Sequence, residues 1–389
     1  ARIQLERFSD NFDIRKFAAR TETDEQEEYY ILCGWMSEED ANAFIKEAQG
    51  DDKVYIVVEE DREQYFGEPP TKLENPKLFK PFEMYVKMYG LPAYNEMDPT
   101  WFVAITYSFI FGAMFGDVGQ GLILFLGGLF LYKTKHMDLA GIISCAGVFS
   151  VFFGFMYGSF FGFEDVLKAI WLKPMNQMMD VPLVGRLNAV FVIAIGFGMF
   201  IILICMIFNI INSIRNKDTE KAWFDSNAVA GLVFYGSIVL TVGLFISGKK
   251  LPATAVLVVM FGVPLLLMFL KEPLTNLVEK KSEIFPEQKG MFFVQSFFEL
   301  FEVLLSYLSN TLSFLRIGAF AVSHAAMMEV VLMLAGATNG GNPNWIVVVL
   351  GNIFVCAMEG LIVGIQVLRL EYYESRSEER FSRNAETDL

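Results

Sequence analysis

Long apolar stretches constrain this chain more than any other feature of its sequence. They lie at 101–132, 139–162, 187–214, 226–248, 251–270, 291–336 and 345–370. Each is long enough to cross a hydrocarbon core of about 30 Å as a helix that rises about 1.5 Å per residue. Hydrophobic residues make up 54% of the 389 residues, a larger share than in ordinary soluble proteins. The sequence therefore predicts a mainly α-helical fold with a polytopic membrane domain.

The 291–336 stretch is too long for one ordinary span. As a single helix it would extend roughly 69 Å, more than twice the thickness of the core. It must protrude, tilt strongly or break, and we expect the last two spans to be long and tilted.

Loop charges predict the orientation of the spans. Basic segments at 133–135, 215–221 and 271–289 alternate with the uncharged 337–344 loop, and this pattern places the C-terminus in the cytoplasm. A cytoplasmic N-terminal region would then require an eighth crossing, which a helix–break–helix within 101–132 would supply. One long span over those residues is the alternative, so the sequence predicts seven to eight spans.

The first 68 residues are polar and predict part of a small cytoplasmic α/β lobe. Strand-like runs at Tyr29–Trp35 and Val54–Val58 flank a capping box at Ser37–Asp40, which opens a helix to about Gln49.

The remaining domain boundaries follow from composition. Residues 69–98 contain several prolines and predict a stiff linker, residues 99–372 form the transmembrane domain, and residues 373–389 form a polar tail. The chain begins Ala-Arg-Ile without a methionine, as a fragment or a processed end would.

Charge and residue usage exclude several classes of function. The formal net charge of −14 argues against a nucleic-acid partner. Four cysteines without CxxC spacing and two histidines indicate neither a disulfide framework nor a metal cluster. No phosphate-binding loop of the G-x-x-x-x-G-K-[ST] type occurs, so we expect no ATP chemistry and no cofactor on this chain.

Two apolar stretches near the C-terminus each carry a polar stripe. With 100° per residue, the following side chains fall within an arc of about 100° around Arg316: Glu302, Ser306, Ser309, Ser313, Ser323 and His324. Asn310 lies somewhat off this stripe. On the last stretch, Asn352, Glu359, Gln366 and Arg369 share a similar arc. Serines in a membrane helix often bond to their own turn, and Arg369 could simply extend to the interface.

Arg316 is the strongest functional candidate in the sequence. A guanidinium in the middle of a bilayer costs roughly 2.5–3.5 kcal/mol on insertion scales. A carboxylate about 4 Å away would offset that cost, with on the order of 4 kcal/mol at an effective dielectric constant of 20. The partner could come from this chain or from another one, and we expect Arg316 to lie on an ion path.

The run Leu308–Arg316 (LSNTLSFLR) resembles the signature of the V/A-type rotary ATPase a/I subunit, also known as the 116 kDa subunit family. The resemblance extends to His324, Glu302 and the Met358–Gly360 and Leu368–Leu370 segments. The entry motif Asp98-Pro99-Thr100 and the run FGDVGQG at 115–121 also resemble that family. Together these segments cover most of residues 70–372, and the N-terminal lobe resembles the distal lobe of the family's cytoplasmic arm.

The resemblance implies a non-catalytic stator that contacts a rotating proteolipid (c/K) ring. Arg316 would be the counter-charge to the ring carboxylates and would separate two half-channels for H⁺ or Na⁺. Glu302, Ser309, His324, Glu359 and Gln366 would line those half-channels. Asn310 and Ser313 belong to the same signature, and Arg369 would be a second positive charge near the ring.

The implied partners are the ring, the peripheral-stalk subunits on the N-terminal lobe, the central-stalk cap subunit indirectly, and membrane lipid. Two departures from the family stand out. Gln366 replaces the histidine of eukaryotic relatives and cannot titrate, so it would hold water. The tail after Ser375 lacks the expected aromatic and glycine-bearing ending.

Two rival functions come from other classes. A secondary ion-coupled transporter usually shows two related halves with interrupted helices, but this sequence shows no convincing internal repeat. A pure membrane anchor would leave the stripe around Arg316 without an explanation.

Overall fold

The computed structural model describes residues 19–22, 28–31, 34–48, 54–58, 70–163, 166–175, 177–181, 185–250, 252–278, 289–337 and 343–374. The chain divides into two compact units, Ala1–Lys72 and Leu73–Leu389. The predicted polar tail lies outside the described residues beyond position 374.

The described residues of the first unit form a short hairpin and one helix. Strands β1 (Ala19–Glu22) and β2 (Glu28–Ile31) pair antiparallel, and helix α1 spans Glu38–Ala48. The Ser37 hydroxyl accepts the Asp40 backbone N–H at 3.2 Å and donates to the Asp40 carboxylate at 2.6 Å. The predicted capping interaction at this helix start is therefore confirmed.

The predicted strand at Val54–Val58 is wrong. These residues form no strand, and Tyr55 is 91% exposed. The continuous apolar run Val-Tyr-Ile-Val-Val has the composition of a strand, but a strand needs a neighbour to pair with and a face to cover. Strand β2 likewise ends at Ile31, short of the predicted Trp35, and the α/β lobe as a whole stays a prediction.

The second unit is helical. A 3₁₀ turn at Lys80–Phe82 leads into α2 (Glu83–Tyr89), which lies within the predicted linker. The other elements are α3 (Thr100–Met114), α4 (Val118–Lys135), α5 (Asp138–Tyr157), a hairpin of β3 (Met178–Val181) and β4 (Gly185–Asn188), α6 (Ala189–Arg215), α7 (Thr219–Trp223), α8 (Val229–Ile246), α9 (Thr254–Phe269), α10 (Lys271–Val278), α11 (Lys289–Ser313), α12 (Leu315–Leu334), α13 (Trp345–Arg369) and a π-helical turn at Leu370–Glu374.

The predicted break within 101–132 is confirmed, because α3 and α4 are separate helices. Asp117 caps α4 by accepting the Gln120 backbone N–H at 2.9 Å. Its carboxylate also accepts the Phe161 and Gly162 backbone N–H groups and the Ser159 hydroxyl. This fully buried acid therefore ties the break to the loop that follows α5.

Small residues allow α4 and α5 to pack closely. A Cβ atom on Gly154 would lie 2.3 Å from the Val118 backbone nitrogen, and one on Gly147 would lie 2.5 Å from that of Phe125. Only glycine permits this approach, which is a common device where membrane helices pack without a hydrophobic driving force between them.

Five helices of the described chain are long and apolar enough to cross a membrane, or six if the bent pair α9–α10 counts as one span. The pair bends by 73° because the Pro273 ring would clash with the carbonyl of Phe269, where α9 ends. Helices α11 and α12 together form a 45-residue candidate, and α3 is a shorter apolar helix. The predicted seven to eight spans are not confirmed.

The core of this unit surrounds the last helix. Val363 and Val367 of α13 are fully buried and pack with Tyr107 of α3 and with Phe82 and Tyr85 from the segment before it. The C-terminal half of α13 is therefore held in the middle of the fold, whereas α11 leaves much of its apolar surface exposed.

Candidate functional site

Helices α11 and α12 meet at a one-residue break beside Arg316. The Ile317 N–H donates to the Phe314 carbonyl at 3.0 Å instead of continuing the α-helical pattern to Ser313. This tighter step frees the Ser313 carbonyl, which accepts the Arg316 Nε–H at 2.9 Å. The break thus supplies a backbone acceptor for the guanidinium and fixes one side of it.

Phe314 holds this break in place. Its side chain is fully buried, and its ring occupies the space that a Cβ atom on Gly198 of α6 would need, only 2.2 Å away. One turn further on, the Phe191 ring of α6 lies 2.9 Å from the position that a Cβ atom on Gly318 would take. Helix α6 therefore packs directly against the break.

Gln366 of α13 contacts the other side of the guanidinium. With its amide oxygen turned toward Arg316, that oxygen accepts from Nη1 at 2.5 Å and from Nε at 3.3 Å. The sequence predicted that Gln366 would hold water, whereas the structure pairs it with the arginine. An amide oxygen can satisfy a half-buried guanidinium without adding a second charge.

His324 and Glu359 form a second contact between the same two helices. The His324 Nδ1 and a Glu359 carboxylate oxygen lie 2.6 Å apart, and the two residues are 4% and 1% exposed. The His324 Nε2 and the other Glu359 oxygen are buried without a partner among the described residues. Each member of the pair thus keeps one polar atom unsatisfied.

Both pairs lie on one antiparallel seam between α12 and α13. Arg316 and His324 are eight positions apart on α12, and Gln366 and Glu359 are seven apart on α13, so the contacts run in opposite directions along the two chains. Val331 continues the seam, because its side chain occupies the space beside Gly351. The two polar pairs are therefore about 12 Å apart along the seam.

A further polar contact, between Gln120 and Asn352, lies at the same seam. The Gln120 Nε2 donates to the Asn352 Oδ1 at 2.8 Å, and both residues are buried. The sequence placed Asn352 on the same helix face as Glu359, but it predicted neither Gln120 nor Asn352 as a site residue. For Gln120, one amide in a glycine-rich apolar run gave no signal of its own.

The remaining predicted site residues lie apart from the seam. Glu302 and Ser309 are exposed on α11, Arg369 is exposed at the end of α13, and the Asn310 amide lies 3.5 Å from the Ser306 hydroxyl. Ser313 contributes its backbone carbonyl. The structure thus joins Arg316, Ser313, His324, Glu359 and Gln366 and leaves the α11 residues on an open face.

Helix α11 is anchored to the rest of the bundle by hydroxyl groups. The Tyr235 and Thr311 hydroxyls lie 2.7 Å apart, and the Tyr307 hydroxyl donates to the Ser226 carbonyl at 2.5 Å. Ten residues into the helix, Glu299 pairs with Lys271. Within the described residues, no cluster of three or more His, Cys, Asp or Glu side chains is arranged to bind a metal.

Comparison with known proteins agrees with the resemblance found in the sequence. The model of the V-type ATPase 116kDa subunit family matches residues 18–180. Residues 18–180 of this chain are therefore similar to that family.

Curated relatives extend the match toward the C-terminus. The chain is 28% identical over 368 residues to the A-type ATP synthase subunit I of Pyrococcus horikoshii, covering 88% of this chain and 51% of that protein. The subunit I of Aeropyrum pernix is 29% identical over 346 residues, which cover 78% and 49%. A V-type ATP synthase subunit I of Treponema pallidum is 29% identical over 188 residues, which cover 43% and 41%. The chain thus spans about half the length of the first two relatives.

The segment matched by the family model contains the α3–α4 break. Residues 18–180 include Asp117 and its four hydrogen-bond donors, as well as Gln120. The family-typical run at 115–121 is therefore also the segment that brings Gln120 to the seam.

Proposed function

We propose that this chain is the stator subunit of the membrane sector of a V/A-type rotary ATPase, which conducts H⁺ or Na⁺ past a proteolipid ring. The observation that carries the proposal is the position of Arg316. It lies at a helix break, with exposed polar residues before it on α11 and the buried His324–Glu359 pair after it on α12 and α13.

Two half-channels would follow from this division. Glu302, Ser309 and Asn310 would line one of them, on the open face of α11. His324 and Glu359 would line the other, in the seam. Arg316, with its orientation fixed by the Ser313 carbonyl and Gln366, would separate them.

The arginine would act through its charge. It would favour the ionised form of a ring carboxylate at the interface, so that each ring site must release its ion before it passes. Arg369, exposed near the end of α13, would add a second positive charge close to the ring. Polar groups along a water-filled path are the usual way in which a membrane protein tolerates such residues.

The exposed apolar surface of α11 fits a partner in the membrane. Phe297, Phe298, Phe301, Leu305 and Leu308 are each more than half exposed. We assign this face to the ring and the surrounding lipid.

We further propose that residues 1–68 belong to a cytoplasmic lobe that binds the peripheral stalk and contacts the central-stalk cap only indirectly. Residues 69–98 would link this lobe to the membrane domain 99–372, whose C-terminus with the tail 373–389 would also be cytoplasmic.

The test is ATP-driven ion uptake into membrane vesicles that contain the full-length chain in its complex. Arg316→Ala should abolish uptake, because the ring carboxylates lose their counter-charge, while immunoblots and co-purified subunits show normal assembly. Arg215→Ala is the matched control, since Arg215 is an exposed arginine at the end of α6. Normal uptake in the Arg316 variant would contradict the proposal. Purification without ring subunits from ATPase-active membranes would favour a transporter instead.

A further inference from the structure

Gln120 is a fully buried amide with one unsatisfied atom. Its Nε2 contacts the Asn352 Oδ1 at 2.8 Å and the Met328 sulfur at 3.2 Å. Its Oε1 is buried and has no donor within the described part of the chain. Asn352 in turn donates to the Val348 carbonyl of its own helix at 3.0 Å.

An unsatisfied acceptor of this kind indicates a hydration site. Leaving a buried carbonyl-type oxygen without a donor costs about 1–3 kcal/mol, and buried polar groups are normally satisfied by protein or by ordered water. The same seam holds the unsatisfied atoms of His324 and Glu359. Unsatisfied polar atoms therefore occur at both the Gln120–Asn352 contact and the His324–Glu359 contact.

The spacing on α13 places these contacts on one face. Asn352, Glu359 and Gln366 follow one another at intervals of seven positions. Each interval is about 10.5 Å along the axis and leaves the three side chains on nearly the same side of the helix. Each meets a polar partner: Gln120, His324 and Arg316 respectively. The α3–α4 break also places the Phe115 ring 4.8 Å from the His324 ring, so one break contributes to two of these contacts.

We propose that Gln120 and Asn352 form an additional section of the ion path, a hydration site that connects the His324–Glu359 pair to the aqueous phase at the 337–344 side. This inference rests on the proposed function. Neither amide can carry charge, so the site would hold water or a hydrated monovalent cation and deliver it to the His324–Glu359 pair. Gln120 would be a positioning residue for that water rather than a proton carrier.

The first test uses ATP-driven uptake in the vesicles described above, with equal amounts of assembled complex. Gln120→Leu should reduce uptake by about tenfold, because the hydration site loses its acceptor. Gln120→Glu keeps an acceptor of the same length and should restore most of the uptake. Asn209→Leu is the control, since this amide on α6 donates to the Asn227 carbonyl away from the seam.

The second test measures access of water directly. In a cysteine-free full-length chain within the complex, Gln120→Cys and Asn352→Cys should react with a membrane-impermeant methanethiosulfonate. Val363→Cys, fully buried on the same helix, should not react. This readout does not depend on how well the leucine variant assembles.

The outcomes separate the two proposals. Lost uptake in Gln120→Leu, with recovery in Gln120→Glu and labelling at positions 120 and 352, supports the inference. Normal uptake in Gln120→Leu without labelling overturns it, while a transport-dead Arg316→Ala in the same vesicles leaves the proposed function standing. Normal uptake in Arg316→Ala overturns the proposed function itself.

Discussion

Two buried acids, Asp117 and Glu359, show how differently the two halves of the membrane unit use a carboxylate. Asp117 receives four hydrogen bonds, from three backbone N–H groups and one hydroxyl. Among the described residues, Glu359 has one partner, His324, and one oxygen without a donor. A fully satisfied buried acid stabilises one conformation, whereas a half-satisfied one keeps capacity for a proton, an ion or water. The comparison therefore predicts a structural role for Asp117 and, under the proposed function, a role on the ion path for Glu359.

The largest expected effect on stability is at Asp117. Asp117→Ala would remove a helix cap and leave three backbone N–H groups and a hydroxyl unsatisfied, which should lower the free energy of unfolding by about 3–5 kcal/mol. Thermal unfolding of the detergent-purified protein measures this. Asp138→Ala, an exposed acid in the first turn of α5, should change the midpoint little. Equal midpoints for the two variants would refute the structural assignment of Asp117.

Glu359→Gln should show the opposite pattern. The amide can keep a hydrogen bond to His324 but cannot carry charge, so ion uptake should fall by at least about tenfold while thermal stability changes by less than about 1 kcal/mol. Glu329→Gln is the control, since Glu329 is exposed on α12. Unchanged uptake with a large loss of stability would show that Glu359 is a structural acid like Asp117 and would contradict the proposed difference between them.

The glycine packing of α4 and α5 gives a smaller effect in the structural region. Gly154→Ala places a methyl group 2.3 Å from a backbone nitrogen and should cost about 1–3 kcal/mol. Gly127→Ala, on the same helix pair with nothing within 4 Å, should be neutral or stabilise by up to about 1 kcal/mol. Thermal midpoints of the two variants test the pair, and a stable Gly154 variant would show that the helices can separate.

Glu220 lies in the short helix α7, outside the spans. Its substitution has the smallest expected effect. Burial raises the pKa of this carboxyl, and Lys271 opposes the shift. An acid with a raised pKa destabilises the folded state above that pKa. Glu220→Gln should therefore unfold at a slightly higher temperature than wild type at pH 8, and the difference should vanish as the pH falls below about 4.5. Solvent screening keeps the gain below about 0.5 kcal/mol. A stability gain of Glu220→Gln that grew as the pH fell would contradict this prediction.

The sequence predicted the helices better than the strands. Apolar runs of membrane length leave little freedom, because an unpaired backbone in lipid is costly. The break within 101–132 was expected from the number of crossings that a cytoplasmic N-terminal region requires. The Val54–Val58 run failed because a strand depends on a partner elsewhere in the chain.

The candidate site was predicted in part. Helical spacing correctly placed Glu359 and Gln366 on one face, and both contact α12. The same arithmetic assumed an unbroken helix from Glu302 to His324. The step at Phe314 divides that stripe, with Glu302 exposed before the step and His324 buried after it. Gln120 could not be found in this way, because its contact with Asn352 joins residues far apart in the sequence.

The Phe314 ring packs beside Gly198 of α6. This contact fixes the position of Arg316 relative to α6. Arg316 follows Phe314 by two residues, so its position along the membrane normal is set by where α6 accepts the ring. A larger residue at position 198 would displace the guanidinium without altering any charged group. Under the proposed function, the depth of Arg316 in the membrane is therefore a property of helix packing that can change separately from its charge.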